Sequence, residues 1–155
     1  AGRGMRIVFS EEDFKKYIDE AVDVSEEKPV LIDKYLENAY ECEVDAVSDG
    51  KNIFIGGVME HIEYAGVHSG DANIVLPTLN LNYKTVEKIK DYTRKIARAL
   101  NVRGLLNIQF AVKDNVVYMI EANPRASRTI PFVSKATDVN IIDLAMDAML
   151  GKTIP

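Results

Sequence analysis

Gln109, Glu121, Asn123 and Arg125 are side chains of the kinds that manage phosphate charge. Amide and carboxylate oxygens suit a hard cation such as magnesium, which takes few protein ligands and leaves positions open for phosphate oxygens. Arg125 and Arg128, both in "NPRASR", carry guanidinium forks that can neutralise phosphoryl charge through paired hydrogen bonds. A second concentration lies in "EHIEYAGVHSGD", residues 60–71, which follows the apolar run "IFIGGVM". It holds both histidines, His61 and His68, beside Glu60, Glu63, Asp71 and the flexible Gly66 and Gly70. An ordinary surface connection needs no such mixture, whereas a metal site or a nucleotide site does.

The amides and the carboxylate act together only if two strands put them on one face. "LLNIQFAV" and "VVYMIEANPR" flank "KDN" and read as a hairpin. A two-residue loop at Asp114 and Asn115 pairs Lys113 with Val116 and gives odd number sums, with Ile108 and Phe110 facing away from Tyr118 and Ile120. A three-residue loop or a bulge gives even sums and gathers Ile108, Phe110, Val112, Val116, Tyr118 and Ile120 on one apolar face. Clean burial of one face sets register, so the even pairing is preferred. Asn107, Gln109, Glu121 and Asn123 then project together, with Gln109 across from Glu121. The same spacing also fits a solvated sheet face trailing into a turn, which spacing alone slightly favours.

Around these strands, Ser10 and Asp13 resemble a capping box, and Phe14, Tyr17, Ile18, Ala21 and Val22 recur at helical spacing, predicting a helix from about Glu11 to Val22. "KPVLIDKYL", opened by Pro29, fits a strand. "ECEVDAVS" alternates Cys42, Val44 and Ala46 against Glu41, Glu43 and Asp45, and "DGKN" turns it into the strand "IFIGGVM". Val86, Ile89, Ile96, Ala97 and Leu100 predict a helix over 85–101. A last helix is expected over 141–150, with Gly151 as its C-terminal cap. Without regular strand–helix–strand alternation the class is α+β.

The chain has 155 residues, 47% apolar and 28% charged, which fits one domain or two small lobes sharing a core. A net charge of −5 with no basic block argues against binding nucleic acid or an anionic membrane. Cys42 is the only cysteine, which excludes an internal disulfide and suits a reducing cytosol. Placed in the alternating strand, it reads as core rather than as a nucleophile. No apolar stretch approaches the ~20 residues of a membrane span, so a cytoplasmic protein is expected. "AGRGM" is glycine-rich loop chemistry, which suggests a piece of a longer protein that begins inside a loop.

Taken together, "LLNIQFAV…VVYMIEANPRASRTIPFVSKAT" and "GGVMEHIEYAGVHSGD" resemble the ATP-grasp core of carbamoyl phosphate synthetase large subunits, specifically the second synthetase half. The resemblance covers essentially the whole sequence, from "GRGM" to "MLGKTIP". It implies a partial ATP-grasp fold, with a small lobe over about 1–58 and a catalytic lobe over about 59–155. It also implies an ATP-dependent ligase in which carbamate is phosphorylated to carbamoyl phosphate for pyrimidine and arginine synthesis. Gln109, Glu121 and Asn123 match the residues that hold magnesium or manganese against the ATP phosphates, and Arg125 matches the one that steadies the transferring phosphoryl group. Gly66, Val67, His68 and Ser69 match the segment lining the nucleotide site, Glu41 the acid near the ribose, and Lys34 and Leu36 the adenine side. Many relatives carry a histidine where this sequence has Lys34. Gly2 to Met5 matches the glycine-rich loop that closes over the phosphates, with Arg3 adding charge. Glu41, His61 and the backbone near Val67 are candidates for a potassium ion.

The partners implied are ATP, carbamate, the remaining large-subunit domains and a glutamine-hydrolysing small subunit. Because the family's upstream strands are missing, the site is expected to be a half-cleft that binds nucleotide weakly and turns over little by itself. Other readings are a different ATP-grasp carboxylate–amine ligase, a zinc module built on His61, His68 and nearby acids, and a folded binding or assembly module without turnover.

Overall fold

The alternation over residues 40–49 builds the central strand of the protein. The computed structural model describes residues 6–24, 30–67 and 70–155. In it β1 (Tyr40–Asp49) runs antiparallel between β2 (Ile53–Tyr64) and β4 (Arg103–Lys113). β3 (Ile74–Val75) borders β2, and β5 (Val116–Asn123) borders β4, so the sheet has the order β3-β2-β1-β4-β5. The helices are α1 (Glu11–Val24), α2 (Tyr83–Ala99), α3 (Ile130–Thr137) and α4 (Ile141–Met149). The protein divides into two compact units, Ala1–Tyr35 and Leu36–Pro155. Position 58, near the suggested lobe division, lies inside β2.

In the first unit the expected cap is present. The Asp13 N–H donates to Ser10 Oγ at 3.1 Å, and that hydroxyl donates to Asp13 Oδ2 at 2.8 Å. Glu11, Glu12 and Asp13 place negative charge against the positive end of α1. The strand expected from "KPVLIDKYL" does not form over residues 30–36. Apolar β-formers make a strand only when a neighbour completes their hydrogen bonds, and none of the described strands pairs with this segment, whose Leu31 is exposed.

The second unit packs helices on both faces of the sheet. On one face Cys42, Val44, Val58, Ile108, Phe110 and Val112 lie under Ile89 and Ala97 of α2. On the other, Val47 and Met59 meet Ile130 and Val133 of α3 and Ile141, Ala145 and Ala148 of α4. Each fully buried Ile or Phe in these layers contributes roughly 1.5–3 kcal/mol. α2 starts at the Asn82 cap, whose side chain accepts the Thr85 N–H at 3.0 Å. α4 stops as expected: Gly151 turns left-handed at φ 86°, its N–H meets Ala148 O at 3.1 Å, and the Lys152 N–H meets Asp147 O at 2.9 Å.

Two strand assignments need correction. Glu60–Tyr64 is not a connecting loop; it continues β2, with Glu60 opposite Val75 and His61 opposite Ile74. In the β4–β5 hairpin, the odd and the even pairing both occur. Asp114 and Asn115 take φ of 51° and 62°, forming a two-residue turn with Lys113 opposite Val116 and Val112 opposite Val117. A bulge between Gln109 and Phe110 then shifts the ladder, so that Gln109 stands opposite Glu121 and Asn107 opposite Asn123. Val116 and Tyr118 therefore share a face with Lys113 and Ala111 rather than with Phe110, and Ile120 is half exposed. The left-handed turn dictates register at the tip, and the bulge restores it at the mouth.

Candidate functional site

α3 and α4 cover the second face around Val47 and Met59, while further along the same face the side chains become polar. Glu41, Glu43 and Asp45 of β1 are all buried there, at 6%, 2% and 1% exposure. Three carboxylates withdrawn from water on one strand need partners, because an unpaired buried charge is costly. His61 supplies one from β2: Nε2 lies 3.2 Å from Glu43 Oε1 and Nδ1 lies 3.9 Å from Glu41 Oε1. Asn107 of β4 donates through Nδ2 to Glu43 Oε2 at 3.1 Å and to Asp45 Oδ1 at 2.9 Å. Gln109 Nε2 donates to Glu43 Oε1 at 3.4 Å. Asp45 also accepts from Ser127 Oγ at 2.7 Å and Thr129 Oγ1 at 2.5 Å.

Burial governs the acidity of these groups. It pushes the Glu41 carboxyl above its ordinary value; His61 and a hydrogen bond from the Gly66 backbone oppose the shift, and the charges of Glu43 and Glu121 reinforce it. Burial likewise raises Asp45, against the hydrogen bonds from Thr129, Asn107 and Ser127.

Beside this buried network lies the oxygen-bearing set expected from sequence. Gln109 and Glu121 are directly opposed in the ladder and so emerge on the same face. Asn123 Nδ2 donates to Glu121 Oε1 at 2.8 Å. With the amide nitrogens of Gln109 and Asn123 engaged, their carbonyl oxygens and Glu121 Oε2 are the atoms suited to a cation. One carboxylate with two amide oxygens is a donor set that fits a hard divalent ion. Arg125 follows in a tight turn, its N–H on Asn123 O at 2.8 Å and its exposed guanidinium on Ala126 O at 3.0 Å.

Among the predicted site residues, the sheet thus brings together Gln109, Glu121, Asn123 and Glu41, with His61 between Glu41 and Glu43. Gly66 (φ 116°) and Val67 follow the end of β2. Leu36 opens the second unit and Lys34 belongs to the first. Arg3 with the Gly2–Met5 loop, His68 and Ser69 lie outside the described residues. Among the described residues no group of three or more His, Cys, Asp and Glu is arranged to hold a metal ion. His61 spends both ring nitrogens facing carboxylates, which gives the zinc reading no support. Cys42 is buried in the core, where burial raises its thiol far above the ordinary range. No helix among the described residues is long and apolar enough to cross a membrane.

Sequence reasoning passed over the structural work of Glu43, Asp45, Ser127 and Thr129. Strict alternation places acids on one face but does not say whether that face is covered. Glu60, part of the dense 60–71 segment, does structural work instead: on the α2 side its carboxylate accepts the N–H groups of Leu79 and Asn80, each at 2.9 Å, and Asn80 Nδ2 at 2.6 Å.

Known proteins resemble this one in sequence and in fold. The family model described as carbamoyl-phosphate synthase L chain, ATP binding domain, matches residues 1–155. The sequence is 60% identical over 153 residues to the carbamoyl phosphate synthase large chain of Archaeoglobus fulgidus, covering 99% of this protein and 14% of that one. Identity is 58% to the C-terminal section of the large chain of Methanocaldococcus jannaschii and 56% to that of Aquifex aeolicus, with 99% of this protein again matched in both. The match spans 25% and 28% of those two sections, so it corresponds to a small part of each relative. In fold the protein resembles a biotin carboxylase–βγ-ATP complex from Campylobacter jejuni, with a TM-score of 0.81, 23% identity, and coverage of 100% of this protein and 36% of that one. The biotin carboxylase domain of 2-oxoglutarate carboxylase from Hydrogenobacter thermophilus, solved with MgADP, ADP and bicarbonate, gives 0.75 at 22% identity, covering 99% and 35%. The likeness is to part of an ATP-grasp fold.

Proposed function

The protein belongs to the family of carbamoyl-phosphate synthase ATP-binding domains, and from that premise we propose that it forms the catalytic face of the carbamate-phosphorylating, second ATP-grasp half of a longer synthase. The observation that carries the reading is the direct opposition of Gln109 and Glu121, with Asn123 tied to Glu121. The matches to C-terminal sections of two large subunits favour the second half over the first.

Transfer of the γ-phosphoryl group of ATP to a carbamate oxygen is mainly a problem of charge. Gln109, Glu121 and Asn123 would hold magnesium or manganese, which when bound supplies neutralisation of phosphate charge. Glu43 keeps the Gln109 amide nitrogen engaged and so leaves its oxygen for the cation. Arg125 stabilises the negative charge that grows on the equatorial phosphoryl oxygens. The segment Gly66–Ser69, Lys34, Leu36 and Arg3 are assigned to the nucleotide, Glu41 to the ribose side, and Glu41, His61 and the Val67 backbone to a potassium ion. No covalent protein nucleophile is needed. The remaining large-subunit domains and a glutamine amidotransferase subunit complete the reading as partners, in the cytoplasm.

Calorimetric titration of the protein with ATP and magnesium tests this. Submillimolar binding that disappears in Glu121→Gln supports the nucleotide site. No binding by the unaltered protein favours a folded assembly module instead. Little carbamate phosphorylation is expected from these 155 residues alone, and robust turnover would overturn that expectation.

A further inference from the structure

Segment 124–129 carries Arg125 and Arg128 off the end of β5, with Pro124, Arg125, Ala126 and Arg128 all exposed. Such a segment has little packing of its own to hold two arginines in place. Its ties to the sheet converge on one group. Ser127 Oγ and Thr129 Oγ1 both donate to the Asp45 carboxylate, and the two hydroxyls lie 2.8 Å apart.

Thr129 makes the arrangement informative. It occupies the N-cap position of α3, where a threonine hydroxyl ordinarily accepts an N–H of the first turn. Here it makes no such cap bond and is directed to Asp45 instead. Asp45 is a firm anchor, being 1% exposed on the central strand, between Gly57 of β2 and Asn107 of β4. Asn107 links the same carboxylate to Glu43, the residue that engages Gln109.

We propose that Asp45 is the positioning residue of the phosphoryl-transfer site: through Ser127 and Thr129 it fixes segment 124–129 relative to the polar face and thereby aims Arg125. The aim of Arg125 rests on the nucleotide reading above, whereas the tether itself does not. Asp45 touches no reacting atom. It acts through the two hydroxyls, so Thr129→Val removes half the tether while Thr129→Ser preserves it.

Hydrogen–deuterium exchange on the nucleotide-free protein decides the tether. Amides of 124–129 should exchange roughly tenfold or more faster in Asp45→Asn and Thr129→Val. Thr129→Ser should stay near the unaltered protein, and peptides from β1 and β4 should be unchanged in both threonine variants. If Asp45→Asn loosens the whole sheet, the Thr129 pair still gives the answer. Unchanged exchange at 124–129 in Thr129→Val overturns the proposal, as does loosening confined to the first turn of α3, the pattern of a simple helix cap. Calorimetry with magnesium and ATP supplies the functional arm. Thr129→Val should lose affinity in the same sense as Arg125→Ala, and Thr129→Ser should keep it. An unaltered protein that binds no ATP, while exchange at 124–129 still responds, overturns the nucleotide reading and supports the tether.

Discussion

His61 Nε2 stands 3.2 Å from Glu43 Oε1 with both side chains almost wholly buried. The ring is wedged between Glu43 and Glu41, so it separates two acids that would otherwise face one another inside the protein.

Removing that ring should be costly. His61→Ala leaves buried carboxylates without their partner and opens a void, and a loss of about 2–4 kcal/mol in urea unfolding is expected. His61→Gln, which still offers a donor, should lose less. An alanine variant as stable as the parent protein would remove the structural role assigned to the imidazole.

Glu41 should give an unusual pH signature. Its carboxyl is raised from 4.5, chiefly by burial, so the folded protein holds this proton more tightly than the unfolded one. The associated stabilisation is complete below 4.5 and is lost as pH rises through the folded value. Glu41→Gln has no such loss. Melting temperatures of the two proteins should therefore diverge in favour of the variant as the pH moves from acid to neutral.

Asp49 should behave in the opposite sense. Its carboxylate accepts the N–H groups of Lys51 at 2.8 Å, Asn52 at 2.7 Å and Ile154 at 3.0 Å, binding the β1–β2 turn to residue 154. These bonds, Ile154 foremost, lower it from 3.8 to about 2. Its contribution is present above 3.8 and is lost as pH falls toward 2. The stability gap between the parent protein and Asp49→Asn should narrow over that interval, and a gap independent of pH would contradict the assignment.

Gly56 occupies the β1–β2 irregularity, where Asp45 pairs with Gly57 and Ala46 with Ile55. A Cβ there would come within 2.7 Å of Ile141 Cδ1 and 3.2 Å of the Asp45 carbonyl oxygen. Gly56→Ala should cost about 1–3 kcal/mol by displacing the Ile141 side chain from its packing and crowding the Asp45 carbonyl, measurable by urea unfolding.

Much of this was legible where the signals are local. Gly151 ends a helix whose apolar spacing is unambiguous, and the opposition of Gln109 and Glu121 is the outcome the burial argument calls for, although Val116, Tyr118 and Ile120 do not join the apolar face on which that argument relied. The hairpin tip was not legible in the same way, because the left-handed turn at Asp114–Asn115 and the burial requirement demanded different registers, and only the bulge reconciles them. α3, eight residues long with Pro131 in its first turn, is too short to declare a period. "KPVLIDKYL" shows that β-propensity is no substitute for a neighbouring strand. Asp45 reads as one more acid in an alternating run until the hydroxyls of the segment after β5 are seen to close on it.

The change of step between Gln109 and Phe110 also bears on how this hairpin can vary. Its tip and its mouth keep separate phase, so a turn one residue longer, combined with a smooth ladder, would leave Glu121 across from Gln109 as before. Descendants of this sequence can therefore remodel the far end of the ribbon in odd increments while the end that carries Gln109 and Glu121 keeps its orientation.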